Sequence, residues 1–421
     1  MKLFFLLVAA LSAVSAIRYD GYRLLEVGPV NDMKLLKQFV ALCDKDERIR
    51  QVILLNELVR VSKPLQVAVA PAAYQRIAQF LDTKSIQFTV VNTDLQKTFD
   101  ENMAANELAK SKWRSAGSRV APDAYLRYDE QVAWMQDTAA ASPIAETFNI
   151  GQTYEGRDTI GISINEGNTA LPAIWVDSNL HAREWITAAT NLYIIDEILF
   201  GTSAEAIEMR TNYRWYILPM ANPDGYEFTY TDRMWRKTRS DNAGSLCIGV
   251  DGNRNWDENW GGPGASDNPC ADDYHGPSAF SEVETANMRD KLAEISGFTN
   301  LMITNHAYSQ YWLVPWGGYE YKPADYDELM RVAYAATDAI QAVNGLRFEA
   351  GTPPDLLYVA SGGSFDYTKA QLGMAYSYAT EMRPATQAQG GFDIPPSNIY
   401  PSGAEIFAAV VACAREAQHK L

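Results

Sequence analysis

Short apolar runs alternate with longer amphipathic stretches along the chain beyond residue 115. Short apolar runs are typical of buried strands, and apolar positions that recur every three to four residues are typical of helices. The pattern predicts strands at 160–164, 173–176, 213–218 and 301–304, and helices at 186–200, 281–295 and 326–343. Because this alternation is typical of parallel strand pairs, it predicts an α/β fold with a mixed, mostly parallel sheet covered by helices on both faces.

Residues 17–114 have a different pattern. This pattern predicts strands at 23–27, 65–69 and 86–91 and helices at 31–43 and 72–81, followed by a polar helix at 94–112. This order suggests a βαββαβ arrangement of the ferredoxin-like type. We therefore expect a small α+β domain ahead of the α/β domain.

The N-terminus has the layout of a secretion signal. Met1 and Lys2 precede an apolar run at 3–11, and small residues follow as far as Ala16. The run is too short to span a bilayer, which takes about 20 apolar residues. We expect a signal peptide at 1–16, a small domain at 17–114 and a large domain at 115–421, in a secreted and soluble protein.

Charge narrows the classes of partner. The 421-residue chain has a formal net charge of −16. Nucleic acids and anionic membranes attract basic surfaces, so neither is expected as a partner.

The four cysteines allow three disulfide pairings. Cys247 and Cys270 bracket a loop rich in Gly, Asn and Asp, which suits a disulfide in a secreted protein. Cys43 lies in the small domain and Cys413 in the last predicted helix. We expect both to be free, buried thiols.

Three segments end in side chains that can bind a metal ion or move a proton. His181 and Glu184 lie at a strand-to-helix turn, His306 ends the strand at 301–304, and Glu381 ends a strand-like run. In open α/β sheets, ligands bind beyond the carboxyl ends of the strands, where these groups would meet. A catalytic zinc ion takes three protein ligands and keeps one position open, so the two histidines and Glu184 supply the required count. A His-x-x-Glu pair alone is more often a surface feature, and the hypothesis depends on the other segments.

Seven motifs in order resemble those of zinc metallocarboxypeptidases of the A/B type. They are His181-Ala-Arg-Glu-Trp185, Asn222-Pro-Asp-Gly-Tyr226, Trp235-Arg-Lys-Thr-Arg239, Asn253-Arg-Asn-Trp256, His306-Ala-Tyr-Ser-Gln310, Tyr358 to Asp366, and Thr380-Glu-Met-Arg383. The resemblance runs from about Tyr125 to the C-terminus. The residues before it resemble the secretion signal and the pro-segment of that family, so 17–114 would be an activation domain that covers the cleft. The family pattern also has a bridge at the positions of Cys247 and Cys270.

The resemblance implies a zinc site and its chemistry. One zinc ion per chain would be bound by His181, Glu184 and His306. The metal would lower the pKa of a bound water and polarise the scissile carbonyl. Asp251 would orient the first imidazole. Glu381 would be the general base that passes the proton to the leaving amine.

The resemblance also implies how a peptide C-terminus is recognised. Arg254 would bind the terminal carboxylate through two hydrogen bonds, assisted by Asn253 and by Tyr358 on a movable loop. Arg239 would stabilise the oxyanion. The outer subsites would contain Arg183, Arg236 and Tyr308.

The side-chain pocket predicts specificity. Phe365 stands where family members that cleave Lys or Arg have an Asp, and the other positions that map to the pocket are Leu313, Gly317, Ala360, Gly363, Ser364 and Ala379. The lining is small and apolar, and a substrate Lys would have no partner for its buried charge. We expect A-type preference for aromatic or aliphatic C-terminal residues, shifted towards smaller ones by the bulk of Phe365. Ala307 and Phe365 depart from the frequent Ser and Ile of the family.

The basic stretch at 111–119 suits an exposed activation site. Arg114 and Arg119 both fit a trypsin-like protease, and Arg114 is favoured. The implied partners are this protease, peptide and protein C-termini as substrates, and proteinaceous carboxypeptidase inhibitors. By analogy with the family we expect an extracellular monomer, with the gut lumen as a candidate location.

Three other functions compete with this interpretation. A catalytically silent, zinc-free protein that binds peptides on the same fold would not need the ligands and the base that are present here. A thermolysin-like endopeptidase would need a His-Glu-x-x-His motif, and a serine hydrolase a Gly-x-Ser-x-Gly elbow. The sequence contains neither motif.

Overall fold

A computed structural model of the chain describes residues 16–47, 51–55, 64–116 and 121–417. The predicted signal peptide, up to residue 15, and the predicted cleavage residue Arg119 lie outside the described residues. Below, the described part of 16–116 is called the N-terminal unit, and 121–417 the large unit.

The N-terminal unit is the predicted α+β domain. Its elements are β1 (Arg23–Val27), α1 (Met33–Glu47), β2 (Val52–Leu54), β3 (Leu65–Val69), α2 (Pro71–Thr83) and β4 (Phe88–Asn92), followed by the long helix α3 (Leu95–Ser115). The strands pair antiparallel in the order β2-β3-β1-β4. This confirms the ferredoxin-like prediction.

The large unit contains the predicted α/β fold. Its strands are β5 (Ala145–Gln152), β6 (Asp158–Ile164), β7 (Ala173–Ser178), β8 (Arg214–Leu218), β9 (Thr299–Ala307), β10 (Tyr311–Leu313), β11 (Glu349–Gly351) and β12 (Tyr376–Met382). Its helices are α4 (Tyr128–Ala140), α5 (Trp185–Phe200), α6 (Ala204–Asn212), α7 (Pro223–Phe228), α8 (Val283–Ile295), α9 (Tyr326–Asn344), α10 (Pro353–Leu356), α11 (Ser364–Ala370) and α12 (Ile399–Ala417).

These strands form one eight-stranded sheet in the order β11-β10-β12-β9-β7-β8-β6-β5. The four central strands, β12, β9, β7 and β8, are parallel to their neighbours within this group, and antiparallel pairs join β10 to β12, β6 to β8 and β5 to β6. The mixed, mostly parallel sheet of the sequence analysis is confirmed.

Alternate residues of the central strands enter two separate apolar cores. On β7, Ile174 and Val176 pack with α5, α9 and α12, whereas Ala173 and Trp175 pack with α8 on the other face. All six residues of β7 are buried for this reason. Helices on both faces explain why the strand is a continuous apolar run and does not alternate with polar residues.

The strand register brings the carboxyl ends of three central strands to one edge. Ser178 of β7 lies opposite Asn305 of β9, and Glu381 of β12 lies opposite the next residue of β9, His306. Side chains placed just beyond these positions can therefore meet.

Cys247 and Cys270 form the expected disulfide, and Cys43 and Cys413 are buried thiols outside it. None of the described helices is both long enough and apolar enough to span a membrane.

Candidate metal centre and substrate cleft

The turn that carries His181 and Glu184 is fixed by Asn179. This residue has a φ of 56° at the end of β7, and its side-chain amide donates to the carbonyl oxygens of His181 and Ala182 at 3.3 Å each. Thr187 in the first turn of α5 donates from its hydroxyl to the carbonyl of Glu184 at 2.8 Å. These bonds turn the chain from strand into helix and direct both candidate ligands beyond the sheet edge. The role of Asn179 was not predicted from the sequence, where the available signal was an Asn, which tolerates a positive φ, between a strand and a helix.

The three predicted ligands, His181, Glu184 and His306, converge in one buried cluster, which is called the metal group below. His181 Nδ1 lies 2.8 Å from Glu184 Oε1, and His306 Nδ1 lies 3.2 Å from Glu184 Oε2. The two Nδ1 atoms are 3.0 Å apart. Ligand atoms from all three residues lie within 4.8 Å of one another, in a geometry that could hold a metal ion.

Asp251 and Arg236 hold the imidazole of His181 from behind. His181 Nε2 lies 3.0 Å from Asp251 Oδ1, and Arg236 Nη2 donates to Asp251 Oδ2 at 2.7 Å. Burial opposes ionisation of Asp251, but Arg236, His181 and Arg254 hold its pKa well below the ordinary value. An ionised Asp251 accepts a hydrogen bond from the Nε2–H of His181, so the proton stays on Nε2 and the Nδ1 lone pair of His181 faces His306. The Nδ1 atoms of His181 and His306 face each other at 3.0 Å, close enough for both to bind one cation. Two imidazoles and a carboxylate are a donor set that fits zinc.

Glu381 lies next to this group. Its register partners are His306 on β9 and Tyr311 on β10, and it is only partly buried. A half-buried carboxylate beside a metal group can exchange protons with a molecule bound there.

Arg254, Asn253 and Tyr358 form a second cluster beside the metal group. Arg254 is buried, and its Nη2 lies 3.5 Å from the hydroxyl of Tyr358. The amide nitrogen of the Asn253 side chain lies 3.4 Å from His306 Nε2, and its oxygen accepts from the amide of Ser364 at 3.0 Å. The predicted carboxylate clamp is thus brought together within reach of the metal ligands.

The predicted side-chain pocket is apolar. Leu313, Phe365 and Ala379 belong to one buried cluster, and Leu313 lies directly opposite Ala379 in the β10–β12 pair. A Cβ built on Gly317 would lie 3.1 Å from Cζ of Phe365, so the ring packs against bare backbone. Of the other predicted positions, Gly363 and Ser364 start α11, and Ala360 donates its amide to the carbonyl of Gly317.

Arg239 has contacts outside the metal group. Its guanidinium carbon lies 3.5 Å from the ring centre of Phe228 and 4.5 Å from that of Trp235, and its Nε is 3.7 Å from Glu155. Burial lowers the pKa of this arginine, and Glu155 partly offsets the effect. The oxyanion role of Arg239 therefore stays a prediction that this conformation does not display.

Arg183 and Tyr308 lie on the side of the cleft that faces the N-terminal unit. The guanidinium of Arg183 is 4.2 Å from the ring centre of Phe392 and donates to Asp272 at 3.1 Å. Tyr308 packs edge-on against Phe392 and donates a short hydrogen bond to Gln66. Arg236 is buried between Asp251 and Glu184, so its described contacts hold the metal ligands, and its outer-subsite role stays a prediction.

The N-terminal unit covers this side of the cleft with an apolar surface. Tyr19, Leu24, Ile53, Leu55, Ala68, Leu95 and Phe99 share one cluster with Met234 and Phe392 of the large unit. Asn102 adds two hydrogen bonds of 2.7 Å to Asp393. These contacts depend on tertiary packing, and no local motif marks Gln66 or Tyr19 in the sequence.

Arg114 lies in the last turn of α3. Its guanidinium pairs with Glu130 of α4, which Lys110 also contacts at 2.8 Å. The predicted cleavage residue is therefore about half exposed at the junction of the two units.

Two protein-family models match this chain. The family model described as "Zinc carboxypeptidase" matches residues 131–409, and the model described as "Carboxypeptidase activation peptide" matches residues 32–102. Carboxypeptidase B of the crayfish Astacus astacus is 41% identical over 68% of this chain and 94% of its own length.

Two solved structures extend the comparison. The carboxypeptidase A of Helicoverpa armigera has a TM-score of 0.83 at 28% identity, covering 95% of this chain and 98% of its own. Bovine thrombin-activatable fibrinolysis inhibitor, in complex with a tick carboxypeptidase inhibitor, has a TM-score of 0.66 at 31% identity, covering 71% and 99%.

Proposed function

The chain belongs to the zinc carboxypeptidase family, and from this premise we propose that it is the secreted precursor of an exopeptidase with A-type specificity. The family makes it a metallocarboxypeptidase with an activation peptide ahead of the catalytic domain. The observation that carries the finer proposal is the buried convergence of His181, Glu184 and His306 beside Glu381.

We propose one zinc ion per chain at this group. Two imidazole nitrogens and a carboxylate oxygen are a donor set that zinc prefers. When bound, zinc would polarise the scissile carbonyl and lower the pKa of a coordinated water. Asp251, held by Arg236, would keep His181 in the tautomer that presents Nδ1.

Glu381 is the proposed general base. Its register partner on β9 is His306, and its partial exposure would let it meet a bound peptide. A carboxylate there can accept a proton from water and deliver it to the leaving amine.

Exopeptidase action requires recognition of the terminal carboxylate. Arg254 offers a planar guanidinium that can bind a carboxylate through two parallel hydrogen bonds. Tyr358 reaches this guanidinium, and Asn253 lies between it and His306. A peptide bound here would have its last peptide bond directed at the metal group, so only the C-terminal residue would be removed.

The pocket chemistry supports A-type preference. Leu313, Phe365 and Ala379 present apolar surface, and the next carboxylate along the chain, Asp366, is bonded to backbone amides. One relative is named carboxypeptidase B and another carboxypeptidase A, so the names of the relatives do not decide the specificity. This part of the proposal therefore depends on the pocket residues. A substrate Lys buried against Phe365 would have no counter-charge.

Arg239 is kept as the proposed oxyanion residue. For this role its side chain would have to leave Phe228 and Glu155 and turn towards the metal group. Both contacts are weak enough to be exchanged, because one is a cation–π contact and the other is a partly exposed ion pair.

We propose that residues 17–114 inhibit the enzyme until cleavage near Arg114 by a trypsin-like protease. The side-chain oxygen of Gln66 accepts a hydrogen bond from the hydroxyl of Tyr308. The apolar cluster around Phe392 would block longer peptides from entering the cleft. The Cys247–Cys270 disulfide supports an extracellular location, for which the gut lumen is one candidate. The tick carboxypeptidase inhibitor in complex with the bovine relative supports proteinaceous inhibitors as partners of this chain.

Hydrolysis of a blocked dipeptide ending in Phe tests the proposal. Trypsin-treated protein should release free Phe, a zinc chelator should stop the release, and untreated protein should be nearly inactive. No release from folded protein cut near Arg114 would contradict the A-type exopeptidase. Substrates ending in Leu, Lys and Glu would then separate a different specificity from a silent peptide-binding protein.

A further inference from the structure

Asp366 is a buried carboxylate at the pocket for which the catalytic chemistry has no use. It lies in the first turn of α11, next to Phe365, and has no solvent exposure. Its Oδ2 accepts hydrogen bonds from the amides of Gly317 at 2.9 Å and Gly318 at 2.8 Å, and its Oδ1 accepts from Gly317 at 3.0 Å. Burying a carboxylate costs much free energy unless it is hydrogen-bonded, and here the amides of Gly317 and Gly318 supply those bonds.

The two glycines held by Asp366 form a wall of the pocket. A Cβ on Gly317 would come within 3.1 Å of the Phe365 ring and 3.3 Å of the Ala360 carbonyl oxygen. The backbone of Gly317 is therefore in tight contact with the side chain that closes the pocket. Its distance from that ring depends on the bonds to Asp366.

The same wall is tied to the loop that carries Tyr358. The carbonyl of Gly317 accepts from the amide of Ala360 at 2.8 Å. The side chain of Asn259 donates to the carbonyl of Gly318 at 2.6 Å and to the hydroxyl of Ser361 at 3.0 Å. Each of the two glycines is thus bonded through its amide to Asp366 and through its carbonyl to the loop at 358–361 or to Asn259.

We propose that Asp366 is a positioning residue that sets the depth of the side-chain pocket. It acts through Gly317 and Gly318 and does not touch the substrate. This inference rests on the proposed exopeptidase function and adds a residue that fixes one wall of its apolar side-chain pocket. Loss of the carboxylate would leave two buried amides without acceptors, and the wall would move to find new ones.

The protonation of Asp366 gives the pocket a pH dependence. Burial raises the pKa of Asp366 to about 7, the amides of Gly317 and Gly318 lower it, and the charge of Glu258 raises it further. Among the described residues, Tyr319 also faces it, and the hydroxyl of Tyr319 donates to Glu258 at 2.8 Å. Above this pKa the carboxylate accepts from both amides, whereas the protonated form accepts less well. The wall should therefore be held more firmly as the pH rises through about 7.

Asp366→Ala in the activated enzyme tests the role, with blocked dipeptides ending in Phe and in Ala. Because the wall formed by Gly317 and Gly318 would shift against Phe365, we expect KM for the Phe substrate to rise about 10-fold. The kcat value and the Ala substrate, which does not fill the pocket, should change little. Asp366→Asn should restore much of the loss, because its amide oxygen can take the place of Oδ2. Asp325→Ala is the matched control, because it removes an ion pair to Lys369 on the same helix without contacting the pocket wall.

Equal losses for both substrates, or a fall in kcat at constant KM, would contradict the positioning role. If Asp366→Ala fails to fold, the pH dependence of the wild type decides. The ratio of kcat/KM for Phe to that for Ala should rise between about pH 6 and about pH 8, since Glu381 and the metal group affect both substrates alike. A flat ratio would overturn the proposal, and Asp366→Asn should abolish the rise. If the wild type cleaves neither substrate, it is the proposed function that fails and not this inference.

Discussion

The hydroxyl of Tyr19 donates a hydrogen bond of 2.5 Å to the carboxylate of Asp232, and both side chains are fully buried. Tyr19 belongs to the N-terminal unit, and Asp232 lies in the loop that leads to Arg233 and Arg236 of the large unit. The amide of Ile17 also donates to the carbonyl of Thr231 at 2.7 Å. The first residues of the N-terminal unit thus bind the large unit directly, in addition to the contacts over the cleft.

Tyr19→Phe should weaken the attachment of the N-terminal unit after cleavage near Arg114. A buried hydrogen bond to a charged group contributes about 1.5–3 kcal/mol, so the dissociation constant of the cut unit should rise about 10-fold or more. The measurement is the fraction of the N-terminal unit that co-elutes with the large unit after trypsin treatment. Tyr74→Phe is the control, because Tyr74 packs under Arg23 within the N-terminal unit. Equal retention in Tyr19→Phe and wild type would contradict this anchor.

Asp251→Asn should weaken metal binding. The amide has no negative charge, so it binds the Nε2–H of His181 and the guanidinium of Arg236 more weakly than the carboxylate does. Outer-shell partners of this kind contribute about 10–100-fold in metal affinity. Competition for zinc with a chelator of known affinity measures the effect. Asp257→Asn, on an exposed position of the same loop, should bind zinc like the wild type. Unchanged zinc affinity in Asp251→Asn would exclude the orienting role.

The fold was predictable where the pattern is local. The runs at 173–176 and 301–304 fall within β7 and β9, because buried parallel strands need continuous apolar sequence. The three-residue strands β10 and β11 were missed, since so few residues show no period. Their pairing depends on β12, which is distant in sequence.

The site was predictable where a motif holds several groups together. His181 and Glu184 are three residues apart, and the structure brings His306 to them through strand register. The contact of Arg239 with Phe228 and the bonds of Asp366 to the pocket wall were not predictable. Both depend on how loops pack on one another, and no spacing in the sequence encodes that.

Phe365→Asp should reverse the specificity. A carboxylate in this apolar pocket would be costly to bury alone and would pair with a substrate Lys or Arg. We expect kcat/KM for a Phe substrate to fall about 100-fold and cleavage of a Lys substrate to appear, since a buried charge pair is involved. Phe365→Ile is the control and should keep apolar preference. Continued preference for Phe in Phe365→Asp would mean that Phe365 does not line the pocket.

Glu284→Gln should stabilise the protein at alkaline pH and not at acidic pH. Glu284 is buried on α8, where burial raises its pKa to about 7, although the amide of Tyr154 donates to it at 3.0 Å. The ordinary pKa of this group is 4.5, so the folded state binds the proton more tightly between the two values. Its contribution to stability is complete below 4.5 and is lost as the pH rises through about 7.

Gln cannot ionise, and it keeps an oxygen for the Tyr154 amide. The urea midpoint of the variant should therefore be close to that of the wild type near about pH 4.5 and exceed it near about pH 8.5. Glu294→Gln, an exposed position on the same helix, should show no such pH-dependent difference. A lower midpoint for Glu284→Gln at both pH values would mean that the folded state holds Glu284 ionised and needs its charge.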